Sequence, residues 1–180
     1  MMEMMKKDLR EKYLGIRKSI LDKDKKSMVI IDKLLPILDK YQTIGVYAAM
    51  EDEVNLDKLI EMLLKQGKEV YLPRIESSDL EFYQIKSLND LNCNGAFQIR
   101  EPEAQNPLKS VHIAIIVPGI SFDTKKHRLG FGRAYFDRYL KGKDVFKIGV
   151  CFDELLVDTL PVDDWDIQMD IVVSDKRICL

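Results

Sequence analysis

Cysteine is scarce in this chain and follows no pattern. Cys93, Cys151 and Cys179 are an odd number with no CxxC spacing, which argues against both a disulfide framework and a zinc site. No apolar run approaches the roughly 20 residues of a membrane-spanning helix. The Met-rich start is broken by Glu3 and Lys6-Lys7-Asp8, without the apolar core of a secretory signal. An excess of one charge sign is missing too: 28 Lys and Arg against 30 Asp and Glu leave a net charge of −2. Nothing electrostatic therefore points to nucleic acid or an anionic membrane as partner. His112 and His127 stand without an HExxH or similar arrangement. What remains is a 180-residue chain, long enough for one well-buried core and expected to be soluble and cytoplasmic.

Hydrophobic periodicity divides the chain into helices and strands. Leu9, Tyr13, Ile16 and Ile20 make an apolar stripe on a helix over 4–22. A second helix covers 25–40, with Pro36 kinking or ending it. A short strand spans 44–47. Asn55 can cap a helix over 56–66, Gly67 closes that helix, and a strand over 69–72 ends at Pro73. This strand–helix–strand order implies a parallel pair with a right-handed crossover. Residues 80–85 alternate like a half-buried strand, and 86–110 read as loops with a turn of helix. Strands at 113–117, 146–152 and 171–173 and a helix over 133–141 complete the pattern. No repeat or linker interrupts it. The expectation is α/β: a single three-layer domain over 1–180 with a mixed, mostly parallel sheet flanked by helices.

The segment after the apolar run Ile113-Ala114-Ile115-Ile116-Val117 carries the most chemistry. Pro118-Gly119 stops that run, and His127-Arg128-Leu129-Gly130-Phe131-Gly132-Arg133 then leads into a helix. Glycines ahead of a helix let backbone amides approach an anion, and Arg128 and Arg133 suit phosphate or carboxylate. The third glycine of a dinucleotide fingerprint is absent, because Tyr135 stands there, and no GxxxxGK(S/T) stretch exists. Spacing alone leaves open an anion site and a plain loop with glycines for turning and arginines for solubility. Lys6, Arg10 and Arg17 share a helix face with Tyr13, looking toward a cleft or lying along the core edge. Glu51-Asp52-Glu53 sits between strand and helix, where it can hold a ligand or favour the helix N-terminus. Asp137 is one turn from the glycines, and Asp163, Asp164, Asp166 and Asp170 follow Pro161. Two carboxylates beside a polyphosphate meet the needs of Mg²⁺; solvated surface charge is the alternative.

Taken in order, these pieces resemble the 5-formyltetrahydrofolate cyclo-ligase (methenyltetrahydrofolate synthetase) family over nearly the whole chain. Lys6-Lys7-Asp8-Leu9-Arg10 is similar to its KxxLR, with Arg17 a further match, and the stretch from Tyr47 to Glu53-Val54 is similar to its strand and acidic loop. Leu72-Pro73-Arg74 and Gly95 through Ile99 to Glu101-Pro102 fit its LPR and GI-x-EP segments. Val117-Pro118-Gly119 with Phe122-Asp123 precedes Arg128-Leu129-Gly130-Phe131-Gly132 and Tyr135-Phe136-Asp137, which fit RLGxGxGYYD. Leu160-Pro161 through Asp166 and Asp170 resembles its C-terminal acidic motif.

The resemblance implies an enzyme in which ATP drives cyclisation of 5-formyltetrahydrofolate to 5,10-methenyltetrahydrofolate, releasing ADP and phosphate. It implies that Lys6, Lys7 and Arg10 hold ATP, together with Arg128, Leu129, Gly130, Phe131, Gly132, Arg133, Ala134, Tyr135 and Phe136. Ala48, Met50, Glu53 and Tyr135 would border the folate, Glu53 accepting from pterin N–H groups. Arg133 and Tyr135 would be catalytic, and Asp137 and Asp166 would bind Mg²⁺. The implied partners are folate and ATP, with a monomer expected and no nucleic acid or membrane. Departures stand at Arg133 and Ala134 (glycines in many members), Lys126 (glycine), Phe136 (tyrosine), Leu155 (glutamine) and Trp165 (histidine). Leu155 and Trp165 are expected near the nucleotide or metal end. These changes leave a second reading, a relative that binds folate or nucleotide with little turnover.

Overall fold

Ile113–Val117 is buried at every position, so this strand needs cover on both faces, as strands of a parallel sheet do. The computed structural model describes residues 1–93, 97–103 and 105–180. In chain order α1 (Met2–Ser19) and α2 (Lys23–Leu38) precede β1 (Thr43–Gly45), α3 (Asp57–Lys65), β2 (Glu69–Glu76) and β3 (Asp79–Ile85). β4 (Leu91–Asn92), β5 (Glu101–Pro102), β6 (Ile113–Val117), β7 (Ser121–Asp123), β8 (Arg128–Leu129) and α4 (Tyr135–Leu140) follow. β9 (Phe146–Val150), β10 (Leu156–Val157), β11 (Ile171–Val173) and β12 (Ile178–Cys179) finish the chain.

Among the described residues the main sheet has seven strands in the order β12-β11-β9-β6-β1-β2-β3. The inner strands β11, β9, β6, β1 and β2 run parallel, while β12 and β3 are antiparallel borders. The sheet is mixed and mostly parallel, with helices packed against it, as expected. Numbered by chain position, the parallel strands lie 2-1-3-4-5. Winding therefore reverses between β1 and β6, and a crevice opens beyond their carboxyl ends. No helix among the described residues is long and apolar enough to cross a membrane.

Several boundaries differ from the periodic reading, each for a local reason. Ile20 is extended and ends α1. Pro36 lies inside α2, two residues before the helix stops at Leu38. Asn55 Oδ1 accepts from the Asp57 amide at 3.0 Å, so it does serve the first turn of α3, and Gly67 closes that helix with φ +76°. Pro73 does not end β2, which continues to Glu76. The outward amides opposite Pro73 explain why. β1 pairs with β2 only as far as Tyr71, and Pro73 faces Phe82, whose carbonyl accepts from Leu108 on β3's far side. Pro73 thus turns its missing N–H away from β3, to the side β1 has already left. β9 stops at Val150, two residues short of expectation. α4 begins at Tyr135 instead of 133, because Ala134 takes left-handed backbone at φ 54°. Between 86 and 110 lie a 3₁₀ turn over Leu88–Asp90 and the small β4–β5 pair; Gly95 is outside the described residues.

Candidate active site

At the crevice between β1 and β6 lies a cavity of about 530 Å³, within the range of small-molecule sites. α1 supplies Lys6 and Arg10 to its wall, and the segment after β1 supplies Tyr47, Ala48, Met50 and Glu53. The stretch from Arg128 to Asp137 forms a third side, and Asp163, Trp165 and Asp166 a fourth. Pro73, Ile75, Leu80, Phe97 and Ile99 make an apolar wall near Glu101.

The glycine bend is held from below by one buried carboxylate. Asp123 has no exposed surface and accepts from the amides of Lys125, His127 and Leu160 at 3.0, 2.9 and 2.9 Å. Its Oδ2 is also 3.0 Å from His127 Nδ1. Lys126 takes φ 71° in this turn. The β7–β8 hairpin, paired with β10, then delivers Gly130 to the cavity. Gly132 has φ +93°, a backbone that favours glycine, and a Cβ there would come within 3.2 Å of Arg10 Cζ and press on that side chain. α4 has only six residues, and its dipole is correspondingly slight. The attraction for an anion comes from side-chain cations.

Each of those cations has a partner already. Lys6 is buried, and its Nζ donates to Asp163 Oδ2 at 2.7 Å and Asp166 Oδ2 at 2.5 Å. Burial alone would lower its pKa, but the two carboxylates outweigh that and hold it above its ordinary value. Arg10 donates from Nε to Gly130 O at 2.8 Å and from Nη1 to Glu3 at 2.7 Å. Arg128 donates to Asp137 Oδ2 at 2.6 Å and to Pro118 O at 3.1 Å. Asp137 Oδ1 accepts from the Ile167 amide at 3.1 Å, which brings Asp137 beside the Asp163–Asp166 turn. Among the described residues no three His, Cys, Asp or Glu side chains converge as a self-sufficient metal cage. Asp137 and Asp166 nonetheless line one cavity among phosphate-type cations. That pair fits Mg²⁺, which takes one or two carboxylates and completes its shell with phosphate oxygens and water.

The opposite end is drier. Glu53 closes a tight turn: its amide donates to Met50 O at 3.2 Å, and its Oε2 accepts from the Met50 amide at 2.8 Å. Burial pushes its pKa up, against the lowering effects of the Met50 N–H and Arg17. Arg133 sits at the mouth with its guanidinium 4.5 Å over the Phe97 ring, and Tyr135 is half-buried beside it.

This chain and a family model coincide over residues 2–175, that of the "5-formyltetrahydrofolate cyclo-ligase family". The chain belongs to that family. The Escherichia coli (strain K12) 5-formyltetrahydrofolate cyclo-ligase is 32% identical over 146 residues, 76% of this chain and 79% of that one. A solved structure of Aquifex aeolicus 5,10-methenyltetrahydrofolate synthetase superposes with a TM-score of 0.85 at 34% identity, covering 97% of this chain and 91% of that chain. A Mycoplasma pneumoniae 5,10-methenyltetrahydrofolate synthetase does so with 0.74 at 25%, covering 94% and 98%.

Set on this cyclo-ligase fold, the expected site residues converge with one exception. Lys6, Arg10, Ala48, Met50, Glu53, the run Arg128 to Phe136, Asp137 and Asp166 all line the one cavity. Lys7 does not: it is exposed on the outer side of α1. Leu155, expected near the nucleotide end, is buried against Arg17 and Glu53 instead, while Trp165 does stand at the cationic end. Sequence reasoning missed Asp123 as the organiser of the bend. Its signal was a carboxylate two and four residues ahead of amides in a polar turn, the pattern of an Asx-turn. It also missed Asp163 as partner of Lys6 and the apolar wall from Pro73 to Ile99.

Proposed function

We propose that the chain is an ATP- and Mg²⁺-dependent 5-formyltetrahydrofolate cyclo-ligase. The observation that carries the reading is that a phosphate-type end (Lys6, Arg10, Arg128, Gly130, Gly132) and a pterin-type end (Glu53 with Ala48 and Met50) share one cavity at the sheet's switch point. Glu53 accepts the pterin N–H donors while the apolar wall covers the ring. Lys6 and Arg10 take the phosphates, Lys6 as a point charge and Arg10 as a fork. The formamide oxygen of the substrate is a poor leaving group, so it attacks the γ-phosphorus, and ADP departs. N10 then adds to the formyl carbon and gives up its proton to the departing phosphate or to water, and phosphate leaves as the ring closes.

No covalent nucleophile from the protein is needed; alignment and charge neutralisation suffice. Arg133 and Tyr135 line the same cavity and would meet the charge that spreads during transfer. Asp137 and Asp166 would hold Mg²⁺, which when bound neutralises phosphate charge. The test mixes protein, 5-formyltetrahydrofolate, ATP and Mg²⁺ and follows the near-ultraviolet band of the methenyl product. Product formation is expected; intact binding of either ligand without product would leave a binding relative instead.

A further inference from the structure

Arg17 lies behind the cavity, not in its wall. It is 6% exposed, and a guanidinium buried that deeply is costly unless a charge faces it. The charge facing it is Glu53: Arg17 Nη1 and Glu53 Oε1 are 3.8 Å apart. Among the described residues neither atom has a hydrogen-bond partner, although buried polar atoms nearly always do. A second cavity, of about 10 Å³, borders both residues together with Tyr47, Val54 and Leu155. That is room for one water, which could bond to both. On its other side the guanidinium carbon lies 5.6 Å over the Phe131 ring of the glycine bend, so the side chain is fixed from two directions.

The remaining groups near Glu53 do not supply a counter-charge. The Tyr47 hydroxyl donates to Val54 O at 3.2 Å. Cys151 is buried and borders the same small cavity, and burial pushes both it and Tyr47 up and keeps them neutral. Lys23, from α2, is engaged by Asp52 at 2.9 Å. The Met50 amide is neutral. Arg17 is therefore the cation set against Glu53.

We propose that Arg17 is a positioning residue for the folate end of the site, holding the Glu53 carboxylate ionised and oriented toward the cavity. The proposal rests on the folate reading of Glu53. A protonated Glu53 would point a donor at the pterin donors, so losing Arg17 makes folate recognition fail as pH falls.

The test has two arms on the full chain. In the first, ¹³C signals of glutamate carboxyl carbons are titrated without ligand, with Glu53→Gln assigning the peak. Arg17→Met is expected to move the Glu53 midpoint up by about one to three pH units, the effect of removing a near opposite charge, and Arg17→Lys to return most of that shift. In the second arm, the KM for 5-formyltetrahydrofolate in Arg17→Met rises as pH falls through the new midpoint, while kcat and the KM for ATP change less than about twofold. If Arg17→Met does not fold, Arg17→Gln against Arg17→Lys makes the same comparison. An unmoved midpoint, or Lys behaving like Met, overturns the proposal and leaves Arg17 a packing residue. A midpoint that moves while the folate KM stays flat with pH keeps the ion pair and overturns the assignment of Glu53 to folate.

Discussion

Lys6 is a charge almost without access to water, tolerated because Asp163 and Asp166 meet two of its three donors. On the proposed reading Lys6 is a phosphate ligand, since a triphosphate carries more negative charge and more acceptor oxygens than either aspartate. Lys6→Ala and Arg10→Ala are each expected to raise the KM for ATP by about ten- to a hundredfold, the worth of a hydrogen bond to a charged group, with a smaller effect on folate. Glu53→Gln is expected to do the reverse. Fluorescence offers a direct readout of binding, because Trp165 is the only tryptophan in the sequence and lines the cavity. Equal loss of both ligands in all three variants would count against this division of the site.

The element that most needs explaining is the junction between the glycine bend and α4. Ala134 holds φ 54° there, a region that costs an L-residue about 1–2 kcal/mol. Ala134→Gly relieves that strain but frees the unfolded chain by about 0.5–1 kcal/mol, so a net gain of no more than about 1.5 kcal/mol is expected. Ala134→Val should lose more than about 1 kcal/mol, since a β-branched residue is a true outlier at positive φ. Urea unfolding of the two variants checks both, and similar stabilities would show that the backbone relaxes.

Most elements here were legible. β6 declared itself through five apolar residues, and α3 through Asn55, its apolar face and Gly67. Pro73 misled because whether proline ends a strand depends on which neighbour its missing donor faces, and that is a property of the sheet. Lys6, Arg10, Glu53 and the glycines were legible from short motifs, whereas the Lys6–Asp166 pairing spans 160 residues, and no local pattern encodes it. Arg17 was visible as a cation on α1, but its carboxylate lay two elements away.

At the scale of the molecule, a second ionic knot fastens the C-terminal hairpin to the body. Asp153 accepts from Ser174 Oγ at 2.6 Å and Arg177 Nε at 2.9 Å. Burial by itself would raise the Asp153 pKa, but the hydroxyl and the guanidinium outweigh it and hold the carboxyl below the ordinary 3.8. A carboxylate of that kind contributes stability above its unfolded pKa and loses it as pH falls through the lower folded value. Asp153→Asn is therefore expected to be less stable at neutral pH and to lose less on acidification below about pH 4. Thermal melts at several pH values read this directly; parallel curves for the two proteins would remove Asp153 from the account.

The clip between Lys6 and Asp166 also has a consequence in time. On a ribosome Lys6 precedes Asp166 by 160 residues, roughly ten to thirty seconds at ordinary synthesis rates. Until that moment the lysine has no carboxylate to sit on and the bend at Gly130 has no finished chamber to face. On the proposed reading a nascent chain shorter than this lacks part of the nucleotide site, so retention on an ATP-type resin is expected to sort completed translation products from interrupted ones.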